Sequence, residues 1–302
     1  MVKVLFALVV ISVLVFPISA SEALLAGIIF TSLFQHPFQE KNKTWLNWAL
    51  KTSVIGLGFG MSLSQVLEAS YSSLSILIVS FLFVLVLGFF LARILGVSKN
   101  VGHLISSGTA ICGGSAIASI SPLIKASEKE MSISLGVVFL LNAVALFIFP
   151  TIGTYFNMTQ SEFGLWAAIA IHDTSSVVGA AMSYGHEALE IATSVKLARV
   201  LWIIPLSFIT IFLFKSKGNK IKIPWFIFIF LTVVVVNSFV EIPSFVAENV
   251  VFISKRLLVA SLFLVGTGLS LKSIKSVGPK PLLFGVILWF GVSILSLVLI
   301  LN

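Results

Sequence analysis

GTAICGGSAIASISP, residues 108–122, interrupts a chain that otherwise runs through long apolar segments. Its only large apolar side chains are the isoleucines Ile111, Ile117 and Ile120. Inside a helix the adjacent Gly113 and Gly114 would each cost about 1 kcal/mol relative to alanine, and Pro122 closes the stretch. At membrane depth such a segment is tolerated only where its freed backbone groups meet protein or a water-filled cavity. Broken helices of this kind mark binding sites in membrane carriers. A run of small residues also serves close helix packing. Both readings place the stretch inside a bilayer.

Composition requires the same. The chain is 58% hydrophobic and 10% charged over 302 residues, with a mean hydropathy of +1.14. Soluble proteins carry about 25% charged residues, so this surface is built for lipid. The single cysteine, Cys112, excludes a disulfide framework and a cysteine-built metal site. A net charge of +8 suggests nucleic acid, but the cations sit mainly in short loops between apolar runs. That is the placement produced by the positive-inside bias, and no nucleic-acid partner is expected.

Apolar runs long enough to cross fall near 2–20, 44–66, 72–96, 131–153, 188–214, 224–240, 250–270 and 281–301. Segment 22–35 is short and crosses only with its flanks. Residues 2–20 look like a signal peptide, ending Pro17-Ile18-Ser19-Ala20, but the next apolar run follows at once, which favours a retained first span. Two further segments, 101–124 and 162–184, are rich in Ser, Thr and Gly. The expected fold is an all-α polytopic membrane protein of about 9–11 transmembrane segments, forming one domain over 1–302.

Lys215, Lys217, Lys220 and Lys222 crowd one loop, and Lys272, Lys275 and Lys280 another. Placing both in the cytoplasm puts Glu241, Glu248 and Glu68 outside, and Lys3, Lys41, Lys43 and Lys99 inside. The N-terminus is then inside and the C-terminus outside. If the two polar segments are hairpins, the loop with Lys125 and Lys129 is cytoplasmic and the lysine-free loop 154–161 external; if they cross, the two swap. The charge bias leans to re-entrant hairpins or strongly broken helices.

Internal echoes support inverted repeats. Ile55-Gly56-Leu57-Gly58 returns as Val265-Gly266-Thr267-Gly268. Ile111-Cys112-Gly113-Gly114-Ser115 leads through a helix to Pro150, and Ile171-His172-Asp173-Thr174-Ser175 leads through another to Pro205.

Asp173 is the sole aspartate, set beside His172 inside an apolar segment. An ionisable group at that depth usually lines an ion or substrate path. Asp173 or Thr174 would equally cap a half-helix, and a half-helix N-terminus is itself an anion site. His172 suits proton exchange or a neutral hydrogen bond. Lys196 and Arg199 share a helix face and need partners: an anionic substrate or Asp173 for Arg199, with snorkelling open to Lys196. Asn142 is a further polar residue able to face the site. Thr109, Cys112, Gly113, Gly114, Ser115, Thr174 and Ser175 complete the expected substrate site. Its donors beside cations suit a small oxyanion. His172, Asp173 and Asn142 are the expected ion-coupling residues.

GTAICGGSAIASISPLIKAS, IHDTSSVVGAA and KLARVLWIIP together resemble the YeiH-type membrane proteins, a family described as sulfate exporters of bacterial inner membranes. The similarity covers essentially the whole chain. It places the protein with the cation–proton antiporter and anion transporter superfamily, which includes bile-acid sodium symporters and citrate carriers. The resemblance implies an inverted-repeat carrier whose core holds crossed or re-entrant elements. GLGFGMSL, residues 56–63, followed two spans later by the CGG segment, is similar to the bile-acid symporter order. Where family members often read HE or HD, this chain has His172-Asp173.

The reading is therefore a secondary transporter of a small anion, sulfate-like or organic, coupled to H+ or Na+ and needing no cofactor; no nucleotide loop or metal constellation appears. The bilayer lipid is its standing partner, and a homodimer is open. Two other classes stay in play. An intramembrane enzyme would pair His172 and Asp173 with Cys112 or a serine. A passive anion channel would show a continuous polar pore.

Overall fold

The structure is a computed structural model that describes residues 2–34, 36–214, 225–240, 242–268 and 278–302. Lys215, Lys217, Lys220, Lys222, Glu241, Lys272 and Lys275 lie outside the described residues, as does the side chain of Lys43. The described residues form helices joined by turns, and the protein is an all-α polytopic membrane protein.

Helices α1 (Val2–Val15) and α2 (Ala20–Leu33) have 14 residues each. At 1.5 Å per residue each reaches about 21 Å, short of a ~30 Å hydrocarbon core. The expected span 2–20 therefore ends early, at Pro17, which cannot continue a helix ladder. Ser19 and Glu22 then form a capping box that starts α2. The Phe16 carbonyl accepts from the Ile18 N–H and from Arg256 Nη1, each at 2.8 Å. The stretch that reads like a cleavage site is thus a capped turn, with Ala20 buried against Gly179.

Helix α3 (Gln39–Leu57) runs into a short 3-10 turn, Gly58–Gly60, and α4 (Leu63–Ile94) follows. Helix α12 (Phe226–Phe239) packs on α3, and the long α13 (Ser244–Gly268) packs on both α2 and α3. Gly27 of α2 and Gly266 of α13 face each other so closely that a Cβ on either would collide with the opposing backbone. One glycine of the repeated Gly-x-Gly motif therefore permits a helix crossing. The final helix, α14 (Pro279–Leu301), packs on α4 and on the helices Lys99–Ala110, Glu128–Tyr155 and Gln160–Ala170.

Between these elements lie the two polar segments. The first is α5 (Lys99–Ala110) and α6 (Gly114–Ile120), followed by α7 (Glu128–Tyr155). The second is α8 (Gln160–Ala170) and α9 (Thr174–Tyr184), followed by α10 (His186–Val200) and α11 (Ile203–Phe214). Both segments are hairpins. Asn100, in the first turn of α5, donates to Glu130, in the first turn of α7, at 3.2 Å. The chain therefore enters and leaves the first segment at one level. Phe163, near the start of α8, stacks on Tyr184, at the end of α9, with ring centroids 3.8 Å apart. Tyr184 also donates to the Met158 carbonyl at 2.6 Å, ahead of α8. Because α7 separates the two mouths, the hairpins enter from opposite sides.

The expected span 188–214 is present as one run, His186–Phe214, long enough to cross, with a turn at Leu201 and Trp202 between α10 and α11. Pro205 has no N–H for the Leu201 carbonyl, and the chain tightens there through Leu201 N–H to Ala198 and Trp202 N–H to Arg199. Pro150 sits within α7 without ending it. Hairpin, helix and proline thus occur twice in opposed orientation.

Candidate functional site

The four half-helices that form the hairpins leave their inner ends at the centre of the molecule. Helix α5 has 12 residues and α8 has 11. End to end they reach about 34 Å, so hairpins entering from opposite faces meet near the midplane of a ~30 Å core.

At the first tip the helix stops at Ala110, and Gly113 adopts φ +62°, the left-handed side open to glycine. A Cβ at Gly113 would lie 3.1 Å from Val138 and 3.4 Å from the backbone of Asp173. At the second tip Ile171 is extended and Asp173 caps α9, its Oδ2 accepting the Ser175 N–H at 3.0 Å and also the Ser175 hydroxyl. Asn142 of α7 holds this break open. Its Oδ1 accepts the backbone N–H of both His172 and Asp173 at 3.1 Å.

The cations lie on the other side of the tips, where helices end in free carbonyls. Arg199 donates through Nε to Ala110 at 2.8 Å, through Nη2 to Thr109 at 3.3 Å, and through Nη1 to Ala168 at 3.2 Å and to Ile169. One guanidinium therefore closes the C-terminal ends of α5 and α8 together. Lys196 donates to Ala168 at 3.1 Å and Ile171 at 2.7 Å. Trp289 of α14 donates to the Ala170 carbonyl at 3.1 Å. Each carbonyl left over by the end of α8 has a donor.

This corrects the sequence reading of the two cations. Lys196 does not snorkel: it is 0% exposed. The carbonyls, rather than Asp173, take Arg199; among the described residues the ion pair is His186–Glu190, 3.7 Å apart on α10. Of the expected substrate residues, Thr109, Cys112, Gly113, Thr174 and Ser175 are buried at or beside the tips, Gly114 is half-buried, and Ser115 is exposed. The roles of Trp289 and of the α8 carbonyls were missed. A tryptophan within an apolar run gives no sign of its partner in the sequence.

Several buried polar atoms at the tips have no hydrogen-bond partner in the protein: Thr109 Oγ1, Asn142 Nδ2 and both ring nitrogens of His172. The first two can donate, and a neutral imidazole carries one donor and one acceptor. The N-terminus of α9, capped by Asp173, opens at the same place, beside the glycine turn that leads into α6. The arrangement can receive a small polar ligand by way of donors.

A polytopic helical membrane protein with opposed re-entrant hairpins is the class that this fold and site define. The chain is matched over residues 3–285 by the family described as conserved hypothetical protein 698. It is 48% identical over 278 residues to a UPF0324 membrane protein of Bacteroides thetaiotaomicron, covering 91% of this chain and 84% of the relative. It is 46% identical to one from Photobacterium profundum, covering 93% and 86%, and 44% identical to one from Shewanella oneidensis, covering 94% and 90%. The chain belongs to this UPF0324, YeiH-type family of membrane proteins. No solved structure matches it.

Proposed function

We propose that the protein is a secondary carrier of a small anion, bound where the two hairpin tips meet and moved by coupling to H+ or Na+. The observation that carries this reading is the set of unpartnered buried donors beside the N-terminus of α9. The charges agree. Arg199 and a protonated Lys196 supply two positive charges and Asp173 one negative. The helix ends at the tips contribute at most about half a charge each, of alternating sign, and cancel. With Lys196 protonated the pocket is left near +1, suited to a monoanion or to a dianion taken with one cation; with Lys196 neutral, Arg199 and Asp173 balance. Sulfate or a related oxyanion is the first substrate to test, with export from the cytoplasm as its direction.

On this reading the protein lies in the bacterial inner membrane, its N-terminus cytoplasmic and its C-terminus external, with the first hairpin opening inward and the second outward. Catalysis is less well supported, because among the described residues no Ser or Cys bonds to His172, whose ring nitrogens have no protein partner. A passive channel is less well supported because Gly113 packs on Asp173 at the midplane.

The deciding experiment is flux into proteoliposomes against sulfate, sulfite, sulfonates and dicarboxylates, with and without a pH or sodium gradient. Saturable, gradient-dependent uptake of an anion is expected. Uptake of cations alone, or flux that never saturates, would overturn the proposal.

A further inference from the structure

Exposure is distributed unequally over the two hairpins. In α9 the run from Thr174 to Ala181 is buried throughout. In α6, by contrast, Ser115 and Ala118 are exposed, and Pro122 and Lys125 carry the exposed stripe on to the turn that precedes α7. Steps of three and four residues put these positions on one face. At the inner end of the stripe Asp173 is only half-buried, although its backbone lies against Gly113. Helix α6 packs on α5, α7 and α11, which leaves this face uncovered among the described residues.

The stripe does not have the character of a lipid surface. Where this molecule meets lipid it presents large apolar groups: Val86 and Phe90 of α4, Phe208 and Phe212 of α11, Phe290 and Ile294 of α14. The α6 stripe offers a hydroxyl, a methyl, a proline ring and an ammonium group. Irregular backbone at membrane depth persists only where it is buried in protein or lines water, and a two-turn helix beginning at a glycine break cannot satisfy its end groups in hydrocarbon.

The inner end of the stripe is polar as well. Asn142, which holds the Asp173 N–H through Oδ1, has its Nδ2 without a protein partner. Thr109 Oγ1 and the His172 ring nitrogens likewise lack partners, and all three residues are buried. Water reaching Asp173 along the stripe would arrive beside these groups.

The other approach to the tips is closed by apolar contact. Leu57, Val178, Leu189 and Leu258 form a small cluster separate from the main core, where α9 and α10 press against α3 and α13. Beside it is a cavity of about 20 Å³ bordered by Gly60, His186, Glu190 and Lys255, room for about one water.

The geometry points to a one-sided access path. This conformation opens the hairpin tips to the side of residues 121–127, along Ser115, Ala118 and Lys125, and shuts them from the opposite side with the Leu57–Val178–Leu189–Leu258 gate. Lys125 marks the mouth and Asp173 the inner end. The inference rests on the carrier reading only for the purpose of the path; the path itself is a matter of water access.

It is tested without any flux. Ala118→Cys, Ser176→Cys and Lys125→Cys are placed singly in the full chain carrying Cys112→Ala, so that the introduced thiol alone reports. Right-side-out and inverted membrane vesicles are treated with a charged, membrane-impermeant maleimide. Ala118→Cys is expected to label from the same face as Lys125→Cys, and Ser176→Cys from neither. Adding Leu189→Asn is expected to open the gate, giving Ser176→Cys labelling from the face opposite Lys125→Cys. Retention of one-sided Lys125→Cys labelling in the Leu189→Asn background shows that this variant keeps its topology. Labelling of Ala118→Cys only by a lipid-soluble maleimide would overturn the path, since the stripe would then meet lipid. Failure of Ala118→Cys to label with either reagent would overturn it too, since the stripe would then be covered by protein. Labelling of Ser176→Cys from the far side with Leu189 intact would overturn the gate, as would no gain with Leu189→Asn in a chain of retained topology. Labelling as expected in a protein that moves no anion would leave the path standing and remove the carrier reading.

Discussion

Arg199 donates to carbonyls from two hairpins that enter from opposite sides, and its removal would leave three buried acceptors, the carbonyls of Thr109, Ala110 and Ile169, without a donor, while Ala168 keeps Lys196. Each unsatisfied acceptor costs about 1–3 kcal/mol, so Arg199→Gln should destabilise the protein by at least about 3 kcal/mol. Arg199→Lys should recover only part of this, because a point charge cannot reproduce a planar fork. Thermal unfolding in detergent measures both. Equal melting temperatures for wild type and Arg199→Gln would mean that the guanidinium is free for a ligand after all. Asp173 is the complementary case. Asparagine caps a helix as well as aspartate, so Asp173→Asn should fold with an unchanged melting temperature yet lose coupled flux. Full coupled flux in that variant would reduce Asp173 to a cap. Sequence alone identified both residues, since charges inside apolar segments stand out. It did not reveal that Arg199 faces carbonyls, because free carbonyls arise only once helices have been broken and brought together.

The hairpins depend on backbone that only certain residues tolerate. Gly113 sits at φ +62° with Val138 and Asp173 against it. Gly113→Ala should therefore strain the tip by about 1–3 kcal/mol and push the two tips apart. The expected outcome is a folded protein with weakened substrate affinity, read as a raised half-saturation constant for flux. An unchanged constant would show that the tip spacing is not part of the site. The glycine pair in the sequence announced this break, and His172-Asp173-Thr174 announced the other as a cap. The shortness of α1 and α2 was less legible, because an apolar run does not say where tertiary contacts will replace lipid. The turn within 188–214 at Leu201 was available from Pro205 but hidden by unbroken hydrophobicity on both sides.

At the scale of the whole molecule, two hairpins change the parity of everything between them. Were segments 101–124 and 162–184 simple crossings, residues 125–130 would face outward and 154–161 inward. The Asn100–Glu130 hydrogen bond and the Phe163–Tyr184 stack hold each segment to one side instead. The mouth of the first hairpin then shares a side with Lys99, and the mouth of the second lies opposite. The positive-inside bias counts Lys and Arg over short loops and gives little weight to Asp and Glu. Glu128 and Glu130 therefore do not cancel Lys125 and Lys129, while residues 154–161 hold no lysine or arginine at all. Both considerations give one orientation. In a Cys112→Ala chain, Lys129→Cys should react with an impermeant maleimide only in inverted vesicles, and Asn157→Cys only in intact cells. Asn157 is an exposed turn residue with positive φ, so its thiol would be presented to solvent. The reverse pattern would mean that the molecule is inserted the other way up. Labelling of both sites from one face would break the parity itself, since α7 alone separates them and must then fail to cross.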